Sequence, residues 1–191
     1  MHMFSRAVSV ARICGRRQRG FMSLPSFGLG SSQGQRYKDA RVFPYTKEQV
    51  FDVVADVERY SEFVPMCMGS RVVDGTRRIE KGVVEGIADR ETVEAELVVG
   101  YPPFRECYMS QVTLERPWRI VATAAPNDSI FKHMKTVWEF VEETQAQTLV
   151  RFGIEYEFVS VLHAQAASLV FKKMASSNLA AYLARCRKIY G

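Results

Sequence analysis

The chain is poor in the residues that most enzymatic chemistries require. Of its four cysteines, Cys14 lies near the N-terminus, and Cys67, Cys107 and Cys186 stand far apart with no C-x-x-C pair. That excludes a disulfide framework and a cysteine-rich zinc site, and fits free thiols in a reducing compartment. Histidine is scarcer still: after His2 there are His133 and His163, thirty residues apart. No G-x-S-x-G, H-E-x-x-H or Walker loop is present, and Gly28-Leu29-Gly30 does not complete G-x-G-x-x-G. A hydrolytic triad, a histidine metal centre and a phosphate-cradling loop are therefore not expected. No apolar run approaches the ~20 residues that a membrane-spanning helix needs.

Acidic residues are missing from one region only. Residues 1–36 hold six arginines and no carboxylate; the first is Asp39. The remaining stretch, 37–191, has 20 basic and 21 acidic side chains, so the net charge of +5 belongs to the N-terminal segment. The body is near neutral, and the high pI is no argument for nucleic-acid binding. An arginine- and serine-rich segment without acid has the composition of a mitochondrial transit peptide. Drawn as a helix, it places Met3, Phe4, Ala7, Val10, Ala11 and Cys14 on one side and Arg6, Arg12 and Arg16 on the other, with Ile13 out of place. Arg19-Gly20-Phe21 matches a matrix-peptidase pattern with cleavage after Phe21. Residues 22–36, rich in Gly, Ser, Pro and Gln, read as a linker. The expected organisation is 1–36 transit peptide and linker, and 37–191 one folded domain.

Within 37–191 the pattern predicts an opening strand over 37–45. Thr46 and Gln49 form a capping box ahead of a short helix with Val50, Phe51, Val54 and Val57 at helical spacing. A second short helix follows over 58–63 and stops near Pro65. Strands are predicted at 69–74, 79–87, 92–99, 104–114, 118–125, 134–142 and 148–158. The last alternates most clearly, with Val150, Phe152, Ile154, Tyr156 and Phe158 on the inner side. Glu94 and Glu96 fall on the outer side of 92–99 and are expected to be solvated. After Ser160 the spacing becomes helical, with Leu162, Ala166, Leu169, Val170, Met174, Leu183, Cys186 and Ile189 as apolar positions. A helix of about 28 residues is ~40 Å long, enough to cross a domain. Grouped strands followed by one long helix predict an α+β fold in which a curved antiparallel sheet wraps the helix. Such a grip can enclose a cavity lined from both layers.

Four stretches, in order, carry a family resemblance. Tyr60-x-x-Phe63-Val64-Pro65-x-Cys67 after a short helix resembles the coenzyme Q-binding branch of the polyketide-cyclase/START superfamily. Gly100-Tyr101-Pro102-Pro103, Phe131-Lys132-His133-Met134-Lys135-Thr136-Val137-Trp138-Glu139-Phe140 and Ser160-Val161-Leu162-His163-Ala164-Gln165 are similar to later segments of that branch. The chain departs from the pattern at Met66, where members often carry Trp, and 74–90 is longer than usual. The resemblance covers about 37–190. It implies a START-like helix-grip fold, a hydrophobic cavity and binding of ubiquinone with its polyprenyl tail. It also implies a peripheral position on the matrix side of the mitochondrial inner membrane. The implied role is lipid chaperone or carrier in support of respiratory electron transport and coenzyme Q synthesis, in contact with the synthesis or respiratory complexes. No metal or catalytic cofactor is implied.

A polyprenyl tail asks for apolar walls. The candidate lining residues are Trp138, Phe140, Tyr156 and Phe158 from strands. Phe63, Val64, Pro65, Tyr101 and Phe104 are the candidates from loops, and Val170, Phe171 and Met174 from the long helix. Selectivity for a quinone needs ring contacts and hydrogen bonds to its oxygens, for which Tyr60, Tyr101, Thr136 and His133 are the candidate donors. Each aromatic has an alternative reading as ordinary core. Met66, Lys172 and Lys173 are candidates for membrane contact, because no acidic residue follows Glu157; the cations near the helix end are also accounted for by the helix dipole. Two rival functions use the same fold. An aromatase/cyclase would need acid–base groups in the cavity, and a ribosome-associating interaction protein would need a basic surface.

Overall fold

The structure is a computed structural model that describes residues 34–82, 89–101, 104–126, 128–159 and 161–191, with the backbone alone at 101, 104 and 161–172. The N-terminal segment 1–33, most of the predicted 79–87 strand, Pro102-Pro103 and the His163 side chain lie outside the described residues.

Strict alternation with a period of two builds the sheet. In β8 (Gln147–Phe158), Val150, Phe152, Ile154, Tyr156 and Phe158 are all buried, and the residues between them are not. The longest strand, β7 (Phe131–Thr144), buries Met134, Trp138 and Phe140 on the same inner face. The other strands are β1 (Gln35–Phe43), β2 (Cys67–Val72), β3 (Arg78–Glu80), β4 (Arg90–Tyr101), β5 (Phe104–Glu115) and β6 (Arg119–Ala124). They pair antiparallel in the order β1-β8-β7-β6-β5-β4-β2, with β3 also on β4. β1 starts at Gln35, and Arg36 pairs with Glu155 at 3.1 Å, so two residues assigned to the linker belong to the sheet.

Between β1 and β2 lie α1 (Lys47–Ala55) and a 3-10 helix (Val57–Glu62). The capping box at Thr46 and Gln49 is present in both directions, satisfying two backbone donors that a helix start leaves bare. Val50, Phe51 and Val54 of α1 are fully buried, and Phe51 meets Phe140 edge-on at 5.6 Å. Thus the strand–helix junction is locked to the centre of the sheet.

The closing helix α2 (Val161–Tyr190) runs 30 residues without a break. Its buried stripe is Ala175, Leu179, Tyr182 and Cys186, spaced four, three and four. The apolar positions expected from sequence were partly out of phase with it: Met174 and Leu183 flank the stripe, and Ile189 is exposed. Arg185, one of the cations near the helix end, is buried and pairs with Glu62 at 2.9 Å.

Glu96 also departs from expectation. Its neighbour Glu94 is exposed, but Glu96 is only 3 % exposed on the same outer side of β4. The register sets Arg71 of β2 directly opposite, and its Nε meets the Glu96 carboxylate at 2.7 Å. A cross-strand guanidinium makes burial of the carboxylate tolerable. Alternation found the side of the sheet correctly; it could not tell that this stretch of the outer face is covered, as the 1 % exposure of Val98 also shows.

Candidate functional site

The inner face of the sheet, the 3-10 helix and α2 enclose a cavity of about 90 Å³. Its floor comes from inward positions of β4 to β8: Leu97, Tyr108, Thr136, Trp138 and Ile154 among them. Its roof is Met174, Asn178 and Tyr182, successive turns of α2. Its near wall is Tyr60, Val64, Pro65 and Cys67, the segment that connects the 3-10 helix to β2.

Aromatic rings dominate. Trp138 packs at 4.6 Å from both Phe152 and Tyr182, and Tyr182 meets Tyr60 and Phe63 edge-on at 5.6 and 5.1 Å. Each such pair is worth roughly 0.5–1.5 kcal/mol beyond its burial. The Arg185 guanidinium lies 5.1 Å over Phe63, so the Glu62–Arg185 ion pair and the aromatic cluster together tie α2 to the 63–66 loop. A hydrogen bond from Gly100 N to Met66 O, 2.9 Å, ties the same loop to the end of β4. Met66 is held at φ 63, a conformation rare for a side-chain-bearing residue.

Polar groups are few and electrically neutral. Burial pushes the Tyr60, Tyr108 and Tyr182 hydroxyls well above the usual tyrosine range and raises the Cys67 thiol. The Tyr60 hydroxyl donates to Val54 O. Ser110 Oγ donates to Thr123 O at 3.3 Å. Asn178 is 9 % exposed, and its Oδ1 has no hydrogen-bond partner.

The sequence-predicted lining residues separate into three groups. Tyr60, Val64, Pro65, Trp138 and Met174 line the cavity, with Phe63 half-buried against Tyr60 and Tyr182. Phe140, Tyr156 and Phe158 are buried in the core away from it: Phe140 on Phe51, Phe158 stacked on Phe131, and the Tyr156 hydroxyl donating to Gln35 Oε1 at 3.1 Å. The side chains of Tyr101, Phe104, Val170, Phe171 and Lys172 lie outside the described residues. Among the candidate donors, Thr136 lines the cavity, His133 is exposed on the other side of β7, and the Tyr60 proton is already committed to Val54. Met66 is half-buried and Lys173 exposed. Sequence reasoning missed Tyr108, Asn178 and Tyr182. Met174, Asn178 and Tyr182 recur every fourth residue, the spacing that marks one helix face.

A larger open groove, about 680 Å³, lies on the opposite face of the sheet around β1, β8, β7 and β6. Arg36, Lys38, Arg119, Lys135 and Arg151 share it with Asp39, Glu139 and Glu155. Its mixed charge suits neither a polyprenyl tail nor a uniformly anionic partner. Among the described residues no cluster of His, Cys, Asp or Glu could hold a metal ion, and no helix is long and apolar enough to cross a membrane.

An antiparallel sheet gripping a long C-terminal helix around an aromatic cavity defines the helix-grip class of small-molecule and lipid sites. Comparison with known proteins agrees. Residues 43–182 match the family model described as polyketide cyclase / dehydrase and lipid transport, and the chain belongs to that family. Its relatives include the mitochondrial coenzyme Q-binding protein COQ10 homolog B of Xenopus laevis, 32% identical over 97% of this chain and 70% of that one. The ribosome association toxin RatA of Escherichia coli K12 is 26% identical over 77% of this chain and 84% of its own. Among solved structures, the Zhui aromatase/cyclase of Streptomyces sp. R1128 shares the fold at a TM-score of 0.64, with 15% identity over 82% of this chain and 95% of that one.

Proposed function

We propose that this protein binds coenzyme Q in the cavity between the sheet and α2 and handles it as a chaperone or carrier without converting it. The observation that carries the reading is the cavity wall: aromatic and aliphatic side chains with a few uncharged hydroxyl and amide groups. Rings such as Trp138 and Tyr182 suit the flat face of a quinone. The titratable groups at the cavity are tyrosines and a cysteine whose burial keeps them protonated, which suits holding a ligand better than general base catalysis at neutral pH. The name of the Xenopus relative supports the same ligand and a mitochondrial location.

The cavity of about 90 Å³ is well below the roughly 300–1,000 Å³ of ordinary ligand sites. Loading a polyprenyl quinone therefore requires the roof or the 63–66 wall to move outward. Transfer from a bilayer into an apolar pocket changes little hydrophobic free energy, because the tail leaves one apolar medium for another. Loading and release at a membrane are then nearly balanced, as a carrier needs. In this reading the transit peptide within residues 1–36, cleaved after Phe21, directs import, Met66, Lys172 and Lys173 meet the matrix face of the inner membrane, and the quinone-synthesis or respiratory complexes are the exchange partners.

A second reading, an interaction protein of the RatA kind, has the groove on the outer sheet face in its favour. Its acidic residues, and the Arg36–Glu155 pair across it, weaken an attraction to nucleic acid. Fluorescence titration separates the two readings. Trp138 lies in the cavity and Trp118 is 53 % exposed. Trp118→Phe therefore leaves one reporter. Saturable quenching of Trp138 by a ubiquinone with a decyl tail is expected; titration without saturation, at a membrane-free micromolar range, contradicts quinone binding.

A further inference from the structure

Among the described residues, one fully buried side-chain polar atom has no hydrogen-bond partner, and it lies at the cavity. Asn178 lines the roof, more than nine-tenths buried, and its Oδ1 accepts no hydrogen bond. A buried acceptor without a donor costs free energy, and native interiors keep very few of them. Of the hydroxyls that line the same cavity, Tyr60 donates to Val54 O and Ser110 to Thr123 O, while Tyr108 and Thr136 face the space without donating to Asn178. A ligand that brings its own O–H satisfies that oxygen.

Resting on the coenzyme Q reading above, we propose that Asn178 determines which redox form is held, its Oδ1 accepting a hydrogen bond from a phenolic hydroxyl of the reduced hydroquinone. The two forms differ in what they offer Oδ1. A quinone oxygen is an acceptor, and facing Oδ1 it sets two lone pairs against each other. A hydroquinone hydroxyl donates to Oδ1, and its second hydroxyl, across the ring, still accepts from Tyr108 or Thr136, both of which line the same space. No electron transfer is involved; the protein sorts two forms that membrane redox chemistry supplies.

The test uses the full-length chain and two probes, decyl-ubiquinone and its hydroquinone kept reduced under anaerobic conditions. The wild type is expected to bind the hydroquinone about fivefold more tightly, the worth of one hydrogen bond to an otherwise unpaired acceptor. Asn178→Leu is expected to bring the two affinities within about twofold, chiefly by weakening the hydroquinone. An independent readout needs no variant. A fivefold preference for the reduced form raises the midpoint potential of the bound couple by about 20 mV, at 29.6 mV per tenfold for two electrons. Equal affinities with an unshifted potential in the wild type, or an undiminished preference in Asn178→Leu, overturn the proposal and leave quinone binding standing. Failure of both forms to bind overturns this proposal together with the coenzyme Q reading.

Discussion

Two adjacent residues of α2 should respond in opposite directions to substitution. Leu179 is fully buried, in the stripe that the sheet grips. Leu179→Ala removes that packing and leaves a void, at a cost of about 2–5 kcal/mol. Asn178, one residue earlier, is buried with an unpaired carbonyl. Asn178→Leu removes the desolvated acceptor, which by itself is worth about 1–3 kcal/mol of stability, and helix propensity adds a few tenths in the same direction. The extra volume of leucine has somewhere to go, because the cavity of about 90 Å³ adjoins the site. At about 2–4 °C per kcal/mol for a domain of this size, Asn178→Leu is expected to melt about 3–13 °C above the wild type. Urea and thermal denaturation of lipid-stripped full-length protein measure both variants. A variant Asn178→Leu destabilised by more than about 1 kcal/mol would refute the reasoning, since it would mean that the amide is satisfied in the unliganded protein.

Other consequences follow from the ion pairs and buried hydroxyls. Arg185→Met loosens the hold of α2 on the 63–66 loop by removing both the Glu62 pair and the contact with Phe63, leaving the Phe63–Tyr182 contact in place. Because Glu62 is half-exposed, the stability cost is small, about 1 kcal/mol, but stopped-flow release of decyl-ubiquinone should speed up severalfold; an unchanged rate removes the loop from the exit path. Arg71→Ala removes the guanidinium facing the buried Glu96 carboxylate, which keeps the Cys107 Sγ contact at 3.5 Å, and should cost about 1–3 kcal/mol, most of it regained in the double variant Arg71→Met with Glu96→Met. Alkaline pH should unfold the protein in a defined window. Burial pushes Cys186 up to about 12 from 9.0, and raises the cavity tyrosines above 10.0. The folded state then binds more protons than the unfolded state, so stability is complete below pH 9 and falls as pH rises from there towards 12. A denaturation midpoint that is flat from pH 9 to 11 contradicts that burial.

The parts legible in sequence were those governed by local periodicity. β8 alternates over its whole length because one face meets the core and the other meets solvent, and the Thr46–Gln49 capping box is a contact between residues three apart. Position on a face does not by itself distinguish cavity from core. Trp138 and Phe140 are two residues apart on the inner side of β7, yet one lines the cavity and the other fills the space under α1, because α1 covers only one end of the sheet. The buried stripe of α2 eluded a hydropathy reading since Asn178 and Arg185 are polar and nevertheless buried: one roofs the cavity and the other clamps Glu62. Glu96 was misjudged for a related reason, as its partner Arg71 is 25 residues away in the chain and adjacent only through strand pairing.

The most direct test of the account is to identify what the protein carries. The full-length chain would be produced in a bacterial host that makes ubiquinone, purified without added lipid, extracted with organic solvent and analysed by mass spectrometry. Ubiquinone approaching one molecule per chain, and lost in Trp138→Ala that still folds, is the predicted result. An empty protein, or one carrying phospholipid alone, would contradict coenzyme Q as its ligand.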